Sequence, residues 1–174
     1  KTSCYNLSTW ERTNPSGGGY RLLTEAEWER AAAWDPAGEG RHWRYGQSSD
    51  SMSCENVNFY NGSTSCNPLG LTGYPASTPV GWYNGVNPGT TDAKSPCGCY
   101  DMSGSAYEWC EDWYESEYYT ISPTDNPCNS IASSTRVVRS GFLNYMMINH
   151  CRTETRYYGT PANTYDYFGF RVAC

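Results

Sequence analysis

Between residues 35 and 100 the chain shows neither the 3.6-residue period of a helix nor a sustained two-residue alternation, and most of its glycine and proline lies there. A stretch of that length has to be held as ordered loop, and long ordered loops need pins. Nine cysteines offer one kind of pin. Their spacing does not suit zinc: Cys97-Gly98-Cys99 is tighter than the usual ligand pair, and no second pair completes a tetrahedral site. Disulfides are therefore expected, and with them an extracellular, cell-surface or periplasmic location. The odd count leaves one thiol free or paired outside the chain. Asn6-Leu7-Ser8 and Asn61-Gly62-Ser63 are glycosylation sequons, short enough to arise by chance.

A chain that is only 38% hydrophobic invites a reading of disorder, but 16% of its residues are aromatic, with seven Trp and 16 Tyr. Disordered segments are poor in such rings. Each ring buries a large area and keeps a polar atom at the wet edge, so a core with few aliphatic residues is feasible. At 174 residues one domain is expected, burying about 70% of its unfolded surface. The net charge of −6 and the absence of any Lys/Arg run argue against a nucleic-acid partner. No apolar stretch approaches the ~20 residues of a membrane span.

Local signals define a few elements. Thr24 followed by Glu27 is a capping box, and Leu23 can staple onto Trp28, so a helix is expected from Thr24 to about Trp34, with Pro36 ending it. Tyr107–Tyr114 alternates with Tyr107, Trp109, Glu111 and Trp113 on one parity, which predicts a half-buried strand. Further short strands are expected at Asn56–Tyr60, Val80–Tyr83, Arg136–Arg139 and Phe168–Cys174, with residues 140–167 forming a looped excursion. The class is α+β, with low regular secondary structure.

Three stretches in order carry a resemblance: Tyr20-Arg21-Leu22-Leu23-Thr24-Glu25-Ala26-Glu27-Trp28-Glu29, Gly98-Cys99-Tyr100-Asp101-Met102-Ser103-Gly104-Ser105-Ala106-Tyr107-Glu108-Trp109, and Gly169-Phe170-Arg171-Val172. Their wording resembles the formylglycine-generating enzyme and sulfatase-modifying factor family, and it covers nearly the whole chain. The resemblance implies a C-type-lectin-like fold with long ordered loops. It also implies that residues 1–174 are one domain forming the C-terminal part of a longer one, a missing N-terminal segment being one partner for the odd cysteine. The family enzyme holds copper with two cysteines a few residues apart; the matching stretch here, Arg139–Cys151, contains only Cys151. A soft-metal oxidation site needs two thiolates, so no catalytic residue and no copper are expected. Other branches hold iron through His residues of a separate domain; with His42 and His150 alone, iron is not expected either. Met146 and Met147 are read as packing or surface residues rather than copper ligands.

Calcium is expected. The resemblance places its ligands at Asp101, Gly104, Ala106 and Glu108, two carboxylates and two carbonyls, a donor set suited to a hard cation that takes about 6–8 oxygens. A second family site would use Asn58 and Phe59, but Thr72 stands where an Asp is wanted. The resemblance also implies a Cys110–Cys151 disulfide, with Cys54–Cys66 as a local alternative clip; connectivity among nine cysteines is not deducible from spacing.

Residues 142–167 depart most from the family and are crowded with Tyr and Asn, the composition of adaptable binding surfaces. Tyr145, Met147, His150, Tyr157, Tyr158, Tyr165 and Tyr167 are the expected ligand contacts. Phe, Leu, Tyr, Ile, His, Asp and Gly are reachable from Asn codons by changing adenines alone, the signature of retroelement-diversified variable proteins; Phe142, Leu143, Ile148, Gly159 and Asp166 fit beside the tyrosines, Met146 and Met147 do not. The expected function is a secreted or surface-displayed binding domain for a protein or glycan. The alternatives are a self-assembling structural subunit and a metal-dependent oxidoreductase.

Overall fold

The computed structural model describes residues 4–5, 12, 19–38, 40–60, 66, 68–71, 76–141 and 148–174. Strand β1 (Arg21–Leu22) leads into helix α1 (Glu25–Ala33), and β2 (Trp34–Asp35) pairs with β3 (Arg41–His42). After the long loop come β4 (Tyr107–Trp113), helix α2 (Tyr118–Ile121), β5 (Arg136–Arg139) and a 3-10 turn at Ile148–Cys151. The chain closes with β6 (Tyr157–Gly159), β7 (Phe168–Phe170) and β8 (Val172–Ala173). The main sheet has the order β6-β5-β4-β7, antiparallel except for the parallel β4–β7 pair, and β8 returns to pair with β1. The α+β expectation, with little regular structure, holds.

The capping box forms as expected. The Thr24 hydroxyl accepts from the Glu27 N–H at 3.2 Å, and the Glu27 carboxylate accepts from the Thr24 N–H at 2.9 Å. Trp28 and Ala32 then bury against Leu23, Met102, Cys110 and Val137 to make the main core between α1 and the sheet. A second cluster of Val57, Phe59 and Cys66 sits in the long loop.

Several sequence expectations are corrected. Neither Asn56–Tyr60 nor Val80–Tyr83 forms a strand: a turn in which the Ser53 carbonyl accepts from the N–H groups of Asn56 and Val57 leads into the first, and a turn closed from the Trp82 N–H to the Pro79 carbonyl opens the second. The expected closing strand at 168–174 is two strands with Arg171 between them, one serving β4 and the other β1. The disulfide is Cys54–Cys66, clipping the loop cluster. Cys110 and Cys151 are separate buried thiols, because Cys110 packs beside Trp28 and Val137 while the Cys151 thiol lies against the Gly104 backbone.

The buried residues of β4 are Tyr107, Cys110 and Asp112, whereas Trp109 and Trp113 are only partly covered. The alternation seen in the sequence is real, but a register irregularity between Trp109 and Trp113 breaks it along the strand.

Candidate ligand-binding surface and loop pins

Five of the seven residues expected to contact a ligand converge on the sheet; Tyr145 and Met147 lie outside the described residues. Tyr157 lies between Tyr107 and Tyr158, with centroids 5.4 and 5.3 Å away and planes within 11° and 15° of parallel. Tyr165 stacks on Tyr167 at 4.9 Å, and both meet Phe168 edge-on. Phe168 in turn meets Tyr107, so one continuous aromatic band runs from Tyr158 to Tyr165. Tyr157, Tyr158 and Tyr165 remain 40–48% exposed.

The sheet explains this convergence. The register pairs Tyr107 with Phe168 across β4–β7 and Val137 with Tyr158 across β5–β6. Gly159 is required beneath the band, since a Cβ there would come within 2.7 Å of the Trp109 ring and 3.0 Å of Phe168. Tyr107, Tyr114, Trp109 and Phe168 were not singled out from sequence as part of this surface. Their signal was the strand alternation at 107–109, which says nothing about which loop residues will lie across it.

His150 joins the band at its base. Its Nδ1 and the Tyr107 hydroxyl oxygen lie 2.6 Å apart, and its ring lies 5.1 Å from that of Tyr157. Burial raises the Tyr107 phenol and lowers the His150 imidazolium, so the neutral pair is favoured, with the hydroxyl donating to Nδ1. The loop between 141 and 150 closes at its foot: a Cβ on Gly141, which has φ +81°, would come within 2.7 Å of the His150 carbonyl. Ser140, also at positive φ, binds the Gly104 carbonyl through its hydroxyl and accepts the Gly104 N–H.

The Asp101–Glu108 loop enters the left-handed region at Asp101, Gly104 and Ser105. Glu108 accepts from the Trp28 indole at 2.6 Å and from Arg171 Nε at 2.6 Å. The same guanidinium donates to the carbonyls of Tyr100 and Asp101. Arg171, not expected from sequence as a loop partner, therefore already ties Glu108 to the loop. The Gly104 carbonyl accepts from Ser140 and from the Ala106 N–H. Asp101 Oδ2 accepts the Gly81 N–H at 2.7 Å, and burial pushes its carboxyl above the usual range against that hydrogen bond and the Arg171 charge. Two carboxylates with carbonyls between them fit a hard cation such as calcium in donor chemistry. Among the described residues no group of three or more His, Cys, Asp or Glu side chains converges, so any cation would lean on backbone oxygens. At the second family position the Asn58 amide donates to the Ala76 carbonyl, and Thr72 lies outside the described residues.

In the stretch where the family enzyme carries its cysteine pair, Cys151 is 1% exposed and burial pushes its thiol up to about 12. A groove of about 1030 Å³ runs along α1 past Glu27, Arg30 and Cys128. Among the described residues no helix is long and apolar enough to cross a membrane.

Residues 3–174 match the model of the sulfatase-modifying factor enzyme 1-like domain. The formylglycine-generating enzyme of Streptomyces coelicolor is 30% identical over 89% of this chain and 46% of its own length. The serine/threonine-protein kinase pkn1 of Chlamydia caviae is 31% identical over 89% of this chain and 21% of its own. This chain thus spans half or less of the curated relatives it matches. Among solved structures, Treponema denticola variable protein 1 superposes with a TM-score of 0.60 at 23% identity, covering 98% of this chain and 54% of that one. PvdO from Pseudomonas aeruginosa gives 0.60 at 26% identity, over 88% and 51%.

Proposed function

The chain belongs to the sulfatase-modifying factor enzyme 1-like domain family, and from that premise we propose that it is a non-catalytic, secreted or surface-displayed domain that binds a protein or glycan through its tyrosine band. The observation that carries this reading is the convergence of His150, Tyr157, Tyr158, Tyr165 and Tyr167 into one half-exposed aromatic surface. Tyrosine supplies large contact area at low entropic cost, and its hydroxyl adapts to polar partners. Tyr145 and Met147 extend the surface in this proposal. A variable protein shares the fold, which accords with residues 142–167 being a diversified segment on a constant frame.

The frame is chemically suited to that task. Gly141 and Ser140 close the loop's foot, and Arg156 ties β6 to α1 through Glu25. A calcium ion held by Asp101, Gly104, Ala106 and Glu108 would neutralise the loop carboxylates and stiffen the segment beneath the band. Against catalysis stands the single cysteine: a thiol that is buried and held protonated is neither a nucleophile nor half of a two-thiolate metal site.

Sequencing the coding region from many clones of the source population tests the reading. Variation confined to residues 142–167 supports it; a uniform sequence removes the diversification. Glycan and protein arrays probed with the parent and with a variant carrying Tyr157→Ala, Tyr158→Ala, Tyr165→Ala and Tyr167→Ala test the surface itself. Parent hits that persist in a folded quadruple variant place the ligand elsewhere, and stoichiometric copper in the purified protein would restore an oxidoreductase.

A further inference from the structure

Beneath the Asp101 turn, Gln47, Asn58, Tyr83, Met102 and Ser103 wall a cavity of about 10 Å³, room for one occupant the size of a water or smaller. Two of its walls end in oxygens without partners. The Gln47 amide nitrogen donates to the Ser51 carbonyl at 3.1 Å, which fixes the amide and leaves Oε1 buried and unbonded. The Tyr83 hydroxyl is likewise buried and unbonded. These residues are 8% and 2% exposed, so bulk solvent does not serve them. Buried oxygens left in that state are costly. Asp101 lines the same cavity, and its charge is felt at the Tyr83 hydroxyl although the two do not bond.

We propose that this cavity is a cation site, holding one dehydrated monovalent ion of about sodium's size between the Asp101 carboxylate, Gln47 Oε1 and the Tyr83 hydroxyl oxygen. All three are hard oxygen donors. The charge count selects a single positive charge: Arg171 and Glu108 already neutralise each other through their ion pair, and Asp101 is the carboxylate left over. A water molecule would satisfy the two orphan oxygens but would bring no charge to the Asp101 carboxylate that lines the same cavity. The calcium set proposed above uses Gly104, Ala106 and Glu108, none of which lines this cavity, so the two positions share Asp101 alone.

Thermal unfolding of the chain tests this, in choline chloride at fixed ionic strength with choline replaced stepwise by sodium under a calcium chelator, and in a parallel series by calcium. A saturable rise of the midpoint with sodium, on the order of 2–4 °C, is expected for the parent. It disappears in Gln47→Leu and in Tyr83→Phe, while any response to calcium stays. Tyr83→Phe also melts higher than the parent in choline chloride, because it removes an orphan hydroxyl. Equal midpoints in sodium and choline overturn the proposal, as does a sodium increment that survives both substitutions. A calcium response lost in both variants, with no sodium response in the parent, would also overturn it and assign the cavity to calcium.

Discussion

Where β5 faces α1, charges are buried and paired; where β6 and β7 border the sheet, rings are stacked and half exposed. The Glu25 carboxylate, 0% exposed, accepts from Arg139 Nη1 at 2.7 Å and from Arg156 Nε and Nη2 at 2.8 and 2.9 Å. Arg139 also reaches Glu29 and the Thr153 carbonyl, and Arg156 the carbonyls of Glu115 and Ser116. One residue beyond Arg156, Tyr157 and Tyr158 spend their contacts on each other and on Tyr107 and Tyr114. Adjacent positions in the chain therefore do different work. The ionic side fixes where the backbone goes, and the aromatic side can change its side chains without moving it.

The widest separation between the two sides is expected from Glu25→Leu. It leaves two guanidiniums without their shared carboxylate, and removing one partner of a buried ion network costs about 3–5 kcal/mol. Urea unfolding measures it; a loss below about 1 kcal/mol would mean that the ionic side does not hold the sheet. Single substitutions of Tyr157, Tyr158 or Tyr165 by Ala are expected to cost no more than about 1.5 kcal/mol each, since they remove stacking from half-exposed rings. A tyrosine variant as destabilised as Glu25→Leu would collapse the distinction between frame and surface.

Titration sharpens the same contrast. Asp112 accepts the N–H groups of Glu25 at 2.7 Å and Asn129 at 2.8 Å, so it joins the start of α1 to β4 and the loop after α2. Burial nevertheless raises its carboxyl to about 6, with those hydrogen bonds opposing. The folded state then holds a proton that the unfolded chain releases near 3.8, so this group's stabilising contribution is complete below about pH 4. It is lost as pH rises toward 6, by up to about 1.4 kcal/mol per pH unit. The difference in stability between the parent and Asp112→Asn, followed from pH 4 to 7, is expected to shift against the parent. A flat difference would show Asp112 ionised throughout.

What was legible in the sequence follows the range of the interaction. Thr24 and Glu27 are three residues apart, so the capping box and the helix it starts were readable directly. The tyrosine surface was readable as composition, because Tyr157, Tyr158, Tyr165 and Tyr167 share one segment. Its floor was not: Tyr107 and Trp109 come to it through the pairing of β4 with β7 on one side and, by way of β5, with β6 on the other. The ion network was invisible for the same reason, since Glu25 meets Arg139 and Arg156 across 114 and 131 residues. The two misassigned strands lay where turns satisfy the backbone locally, and neither alternation nor β-branching reports that. Arg171 was read as part of a motif, yet only the folded loop shows its guanidinium on Glu108 and on the carbonyls of Tyr100 and Asp101.

The smallest effect is expected at His150, and its sign is opposite to that of Asp112. Burial lowers the His150 pKa below its ordinary 6.5, so the unfolded chain takes up a proton before the folded one does. The stability this ring contributes is present above pH 6.5 and is lost as pH falls through the folded value. Because the ring is only partly covered, the slope is shallow. Protonation also places a proton on Nδ1, reversing the hydrogen bond with Tyr107 and putting a charge beside Tyr157. His150→Phe is therefore expected to lose stability less steeply than the parent between pH 6.5 and 5, and array hits of the parent that rest on Tyr157 are expected to weaken over the same window. Nuclear magnetic resonance of the His150 ring against pH reads the titration directly. A midpoint at or above 6.5 would show that the aromatic side tolerates the charge, and the contrast would then lie in geometry alone.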